Sequence, residues 1–321
     1  MNWILILALC LCSSVTARQR QIPDPTRRIT DTGTLERVEA FPSHHVQARA
    51  IEVWLPPDSL WDGHPLPVLY MHDGQNLFED SLSFSGVDWN VDSVLVALSR
   101  QGFCSLALLV GIANTPLRRP EYMPDALYAQ FTRAERRQFR QQFGDKARGD
   151  DYLRFLVEEL KPWIDASYPT LPDRDHTVLM GSSRGALISL AAMIQYPQVF
   201  GAAACLSTHW PGAMAHEEDW LRQCLPEPDG HLLYVDHGDR TLDADYPPLQ
   251  RAVNQVLREK GWLSGRDFLY RSFPGHEHSE AAWRLRLDEP LMMLLPPRAL
   301  TRDPWRDEPT RPGATPECPA P

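Results

Sequence analysis

Along this chain the apolar positions switch repeatedly between two periods. Short, nearly continuous apolar runs occur at 68–71, 106–112, 176–180, 202–206, 232–235 and 268–273. Runs of that length bounded by turn residues predict buried strands. Between them lie stretches with helical spacing: 91–98, 152–164, 186–193, 249–257 and 281–295. In 152–164 the apolar residues fall at 152, 153, 156, 157, 160, 163 and 164, one face of an amphipathic helix. Residues 46–55 alternate and end at Pro56-Pro57, which predicts an early antiparallel strand. Strands alternating with helices predict an α/β fold with a mainly parallel central sheet and helices on both faces.

Three stretches fall outside this rhythm. Residues 18–33 are polar and read as an N-terminal arm. Residues 113–149 form a long insertion, dense in charge from Arg133 to Arg148, expected to be solvated surface rather than a cap over a site. Residues 296–321 are Pro-rich and aperiodic, expected to be a disordered tail. The domain expected to carry function is therefore 34–295. Residues 1–17 combine an apolar run from Trp3 to Leu11 with a small-x-small end at Val15-Thr16-Ala17, the pattern of a removed signal peptide. The expectation is an exported protein, periplasmic or secreted. The run is too short to span a bilayer, which takes about 20 residues, so no stable membrane insertion is expected after removal. Leu precedes both Cys10 and Cys12, which disfavours a lipid anchor there.

Composition adds limits. The chain has 321 residues, is 43% hydrophobic and 23% charged, and carries a net charge of −10. That balance suits a globular enzyme and argues against nucleic acid as a partner. Export permits disulfides; by sequence separation Cys205–Cys224 is the pairing to expect, against the alternative that Cys104 and Cys205 are buried core thiols. No C-x-x-C occurs, and His276-x-His278 has no third ligand at sensible spacing, so neither a metal nor a cofactor is expected.

The candidate chemistry centres on Gly181-Ser182-Ser183-Arg184-Gly185, set between a predicted strand and a predicted helix. A G-x-S-x-G in that context is a nucleophile elbow, with Ser183 on a strained turn and small neighbours that let strand and helix approach. A serine hydroxyl needs a base, and the base an orienting acid. His276 and His278 follow the last predicted strand; Asp239 and Asp243 follow the strand before it, where Asp236 still belongs to the strand. The oxyanion needs two backbone N–H donors, one from Arg184 and one from the Asp73-Gly74-Gln75 loop. Tyr122, and Trp210 with His209 in the 207–210 loop, are the substrate-facing candidates, although Tyr122 and Trp210 equally suit core filling.

Four stretches carry a resemblance: His72-Asp73-Gly74-Gln75-Asn76-Leu77-Phe78, Arg119-Pro120-Glu121-Tyr122-Met123-Pro124, the elbow, and Gly275 through His278-Ser279-Glu280 to Trp283. In this order they resemble an esterase family of the α/β-hydrolase superfamily that includes enterochelin (siderophore), feruloyl and acetyl-xylan esterases, S-formylglutathione hydrolase and mycolyltransferases. The resemblance implies an α/β-hydrolase fold and a serine esterase forming an acyl-enzyme. It implies Ser183 as nucleophile, His278 as base, Gln75 as second oxyanion donor, and Asp243 in preference to Asp239 as acid. A Ser–His pair without an acid stays open, as in some siderophore-esterase relatives. Substrates implied are small-molecule, carbohydrate or siderophore esters. An acyltransferase or a non-catalytic binding protein on the same fold are the alternatives. Arg184 stands where the family often has Met, and Ala186 replaces a usual Gly. Arg184 therefore either recognises an anionic group of the substrate or pairs with a local carboxylate.

Overall fold

The computed structural model describes residues 21–297. The expected signal segment, Cys10, Cys12, Cys318 and nearly all of the Pro-rich stretch lie outside these residues. Nine strands form one sheet: β1 (Thr26–Thr30), β2 (Gly33–Phe41), β3 (Arg49–Leu55), β4 (Val68–His72), β5 (Leu108–Ile112), β6 (Thr177–Ser182), β7 (Ala202–Leu206), β8 (Leu232–His237) and β9 (Phe268–Ser272). Their spatial order is β1-β2-β3-β5-β4-β6-β7-β8-β9. The pairs from β1 to β5 are antiparallel, and from β5 through β9 every pair is parallel. The mainly parallel α/β sheet expected from the sequence is present.

The burial pattern explains this arrangement. β4, β5, β6 and β7 are buried at every position, because helices cover both faces and a parallel strand then has no wet side. Two apolar clusters result, one on each face. Part of the expected arm is instead strand. β1 and β2 make a hairpin whose outer strand is almost entirely exposed. Its polar sequence carries no alternation, since an edge strand that buries almost nothing needs no apolar face; backbone pairing with β2 and ion pairs such as Arg28–Glu79 hold it.

Helices lie where the 3.6-residue spacing puts them: Val91–Arg100, Arg184–Gln195 and Tyr246–Glu259. The stretch 149–167 is one helical run whose middle, Phe155–Leu160, has π geometry. Pro162 follows at once, and a proline cannot supply the regular i→i−4 bond. The stretch 281–295 was expected as one helix and is two, Glu280–Arg284 and Asp288–Leu294. Pro290 is tolerated only in a first turn, so the helix restarts just before it. Cys205 is a free, fully buried thiol. The expected Cys205–Cys224 disulfide is therefore corrected: Cys205 lies in β7, inside the core, where its Sγ donates to the Ala186 carbonyl (3.3 Å).

The insertion 113–149 also departs from expectation. It holds the helix Arg133–Phe143, started by a capping box between Thr132 and Glu135 and ended by Gly144 in the left-handed conformation. Phe139 is fully buried, so the stretch is anchored to the core and not merely a solvated face. Its first turn, Arg118–Glu121, is fixed by a buried ion pair. Arg49 donates through two nitrogens to Glu121 (2.8 and 3.1 Å), and the two side chains are 1% and 0% exposed. The guanidinium also packs over Tyr152 and Phe155. Beside it His72 Nδ1 bonds the Tyr152 hydroxyl (2.8 Å). Burial pushes the His72 imidazole down to about 4, against a weaker upward pull from Asp73.

Two expectations follow. Glu121→Ala leaves Arg49 buried without a partner and should cost about 3–5 kcal/mol in denaturant unfolding, whereas the paired change Arg49→Met/Glu121→Leu should recover most of it. Second, His72 is neutral when folded but protonates near 6.5 when unfolded. Its contribution is full above pH 6.5 and is lost as pH falls towards 4, where the unfolded chain alone takes the proton. At about 1.4 kcal/mol per pKa unit this loss is roughly 3 kcal/mol. Thermal midpoints measured across that window should fall, and His72→Asn should flatten the fall; an unchanged profile contradicts the assignment.

Candidate active site

The carboxyl ends of the parallel strands converge on one edge, where open α/β sheets bind ligands. β6 ends at Ser182, and Ser183 follows at φ 56°, ψ −120° before the helix Arg184–Gln195 begins. Such a conformation costs about 1–3 kcal/mol and persists only when its surroundings hold it. Here the Ser183 N–H donates to the Leu206 carbonyl (2.9 Å), and the Ser183 carbonyl accepts from His209 N–H (3.2 Å). A Cβ on Gly181 would lie 2.5 Å from the Gly185 carbonyl carbon, so strand and helix approach this closely only with glycine there.

His278 sits in the loop after β9. Its Nδ1 donates to Asp243 Oδ1 at 2.6 Å, and the side chains are 8% and 0% exposed. A carboxylate can only accept, so a ring proton is on Nδ1 and Nε2 is the nitrogen left to face a partner other than Asp243. The ring is held edge-on against Trp283 and Tyr246, and the His278 N–H donates to Thr241 Oγ1 (2.9 Å). Asp243 Oδ2 accepts from the Gly238 N–H (2.7 Å) and the Ser207 hydroxyl (2.6 Å). Burial alone would raise its pKa, but these bonds from His278, Ser207 and Gly238 outweigh it and hold the carboxyl below its usual range.

Behind this pair stands another layer. Ser207 Oγ accepts from Arg286 Nη2 (2.7 Å) and Trp283 Nε1 (3.1 Å). Arg286 also donates twice to Asp236 (2.9 and 3.1 Å), and neither side chain has any exposure. Asp236 in turn receives the Ser207 N–H (3.0 Å) and the Tyr234 hydroxyl (3.1 Å). Sequence reasoning missed Ser207 and Arg286. The available cue was an arginine inside the apolar stretch 281–295, opposite an aspartate ending an apolar strand.

The other histidine and carboxylate do different work. Asp239 Oδ1 accepts from the Gly275 N–H (2.7 Å) and pins the loop. His276 packs at a tilt against Phe273 (43° between ring planes), and its carbonyl receives the Asp239 and Arg240 N–H groups. His276 and His278 thus engage separate partners.

Gln75 lies in the 3-10 turn Gly74–Asn76, reached through Asp73 at φ 58°. A Cβ on Gly74 would stand 2.5 Å from the backbone of Gly111 and Ile112, so the turn rests directly on β5. Asp73 is bound by Arg118 through two bonds (2.6 and 2.7 Å) and by Asn114 Nδ2 (2.6 Å). Burial raises its pKa, and Arg118 and Asn114 lower it further, leaving the carboxyl below its usual range. Asp73 and Gly74, named from the sequence as substrate-binding candidates, fix the turn that carries Gln75. Tyr122 is fully buried against His72 and Tyr152, and Trp210 is buried with its Nε1 on Gln250 Oε1 (2.8 Å). Of the two fates open to these aromatics, core filling is the one observed.

A cleft of about 230 Å³ opens at Ser183 between Arg118, Arg119, Phe143, Arg184 and His209, with Leu242 at its edge. It adjoins one of about 440 Å³ that shares Phe143, Arg184 and His209. The insertion therefore supplies a wall. His209 bonds the Tyr246 hydroxyl through Nδ1 (2.8 Å), and burial, then Arg184, pushes it down to about 3. A larger cavity of about 730 Å³ lies by Ala202 and Leu232, at the starts of their strands and away from Ser183.

Known proteins resemble this chain in sequence or in fold. "Uncharacterized protein YbbA" of Bacillus subtilis (strain 168) is 25% identical over 226 residues, covering 68% of this chain and 82% of that protein. A ferulic acid esterase superposes with TM-score 0.59 at 18% identity, over 81% of this chain and 97% of the other. An enterochelin esterase from Shigella flexneri gives TM-score 0.59 at 18% identity, over 85% and 58%. At such identities the structural likenesses show the fold, that of the α/β-hydrolase esterases. The model of the family described as "Putative esterase" matches residues 45–294, and by that match over most of its length the chain belongs to this family.

Proposed function

We propose that the protein is an exported serine carboxylic-ester hydrolase that works through an acyl-enzyme. The observation that carries the reading is the buried His278–Asp243 pair on the same sheet edge as a strained Ser183. Ser183 Oγ attacks the ester carbonyl while His278 Nε2 takes its proton. The imidazolium is stabilised by Asp243, which keeps its own charge. The N–H groups of Arg184 and Gln75 hold the oxyanion. Arg184 opens its helix, where an N–H has no partner within the helix, and Gln75 lies in the turn after β4. Collapse of the intermediate breaks the ester C–O bond as His278 returns its proton to the leaving alcohol. Water, deprotonated by the same Nε2, then releases the acid and regenerates Ser183.

The resting geometry supports this chemistry in a second way. A free Nε2 lone pair requires the proton to stay on Nδ1, and an ionised Asp243 enforces that tautomer. The three donors on Asp243 keep it ionised across the working range of a histidine base.

On a p-nitrophenyl acetate assay, Ser183→Ala and His278→Ala should each lower kcat by about 10⁴-fold or more, and Asp243→Asn by about 10²–10⁴-fold. His276→Ala and Asp239→Asn should stay within a few-fold of wild type. Near-normal turnover by Ser183→Ala, or the opposite ranking within either pair, would refute the assignment. Export is tested by expressing the full chain in a bacterial host with a general secretion pathway. Mature protein recovered outside the cytoplasm should begin at Arg18; a cytoplasmic product retaining Met1 speaks against it.

A further inference from the structure

Arg184 is the odd side chain of the site. It is 8% exposed, its Nη1 is buried without a hydrogen-bond partner, and no carboxylate lies within ion-pair distance among the described residues. The pairing with a local carboxylate that the sequence allowed is therefore not observed. Its company is positive instead. Burial, then Arg118 and Arg119, pushes the guanidinium down to about 10. Arg118 is neutralised by Asp73, but Arg119 makes no ion pair among the described residues. Arg119 and Arg184 stack on the same ring, Phe143, each 5.1 Å from its centroid. An aromatic face eases the burial of a cation yet accepts none of its N–H bonds. Gly212 keeps the space open, since a Cβ there would come within 3.3 Å of Arg184 Nη1.

Nearby carboxylates are already engaged. Asp73 is taken by Arg118 and Glu121 by Arg49. Asp243 is taken by His278, and Glu135, in the adjoining cleft, by the Thr132 N–H and His216. One buried guanidinium, Arg184, and one exposed one, Arg119, thus line the cleft that contains Ser183, neither of them in an ion pair among the described residues. Leaving a buried charge unpaired is costly, and a guanidinium fork matches a carboxylate in geometry as well as charge.

We propose that the substrate is an ester carrying a carboxylate close to its scissile bond, and that Arg184 and Arg119 bind this carboxylate beside Ser183. This rests on the esterase reading and narrows its substrate class. The anion supplies the hydrogen bond that Arg184 lacks, takes a second charge-assisted contact from Arg119, and fixes the ester carbonyl against the serine. Uniform anchoring of this kind raises kcat/KM for the anionic ester over its neutral analogue.

The test uses p-nitrophenyl hemiglutarate against p-nitrophenyl valerate for an acyl-side carboxylate, and 4-carboxyphenyl acetate against 4-methylphenyl acetate for an alcohol-side one. In the wild type, one anionic member should exceed its neutral counterpart in kcat/KM by tenfold or more, which also tells which side of the ester bears the anion. The ratio is read within each variant, so any general loss of activity cancels. Arg184→Met and Arg119→Met should each bring it towards one, and Arg184→Lys should keep part of it. Turnover of neutral esters with a ratio at or below one in both pairs overturns this proposal and leaves the esterase reading standing. So does a preference that both Met variants retain. Should no ester be turned over, the esterase reading fails on its own, and calorimetry with the Ser183→Ala protein still decides the present one. There p-nitrophenyl hemiglutarate should bind at least tenfold tighter than the valerate ester, and equal binding overturns it.

Discussion

The geometry of this site depends on a carboxylate kept charged inside the protein. Asp243 is removed from water, and burial by itself would favour its neutral form. Three donors reverse that preference, from a loop backbone, a serine hydroxyl and an imidazole. Each donor must itself be held. The Ser207 hydroxyl is aimed at Asp243 because Arg286 and Trp283 donate to its lone pairs, and Arg286 is tolerated in the interior because Asp236 balances it. The His278 tautomer is the last consequence of this chain of satisfied bonds. A network of this kind works as a unit, since a half-satisfied one is worse than an apolar core.

The rest of the molecule supplies rigidity to that unit. β6, β7 and β8 lie side by side in parallel, so Ser183, Ser207 and the Asp236–Gly238 segment leave the sheet at one level. Ser182 pairs with Leu206, and Leu206 with Asp236, which sets the three loop origins in register. The positive φ of both Ser183 and Ser207 turns each chain sharply at that level. On the other side the Arg49–Glu121 and Arg118–Asp73 pairs lock the turn Arg118–Glu121 against β3 and β4, fixing the arginine-rich wall relative to the serine.

What could be read in the sequence is what local pattern encodes. The buried strands, the amphipathic helices, the elbow and the histidine after the last strand all declare themselves within a few residues. The hairpin of β1 and β2 does not, because an exposed edge needs no apolar alternation. The choice between Asp243 and Asp239 was open for a related reason. Both lie in one short loop, and the turn at Thr241 (φ 54°) decides which faces inward. Beyond that one cue, an arginine within an apolar stretch, local pattern does not reveal Ser207 and Arg286, because their bonds join residues 29 to 79 positions apart. The aromatics Tyr122 and Trp210 looked like binding groups by type alone, and only packing reveals that their surfaces are already used.

The Arg286 anchor has a consequence for how the molecule comes into being. Ser183, Ser207, Asp243 and His278 are made in that order, and the side chain that closes their network belongs to a segment synthesised after all of them. Until that segment docks, Asp236 is a buried charge without a counterion, and the hydroxyl that orients Asp243 lacks its charged donor. Completion of the site is therefore tied to arrival of the carboxyl-terminal helices. An unfinished or partly threaded chain holds Ser183 but not the ordered His278–Asp243 pair, so the ordered pair doubles as a report that the carboxyl-terminal segment has docked.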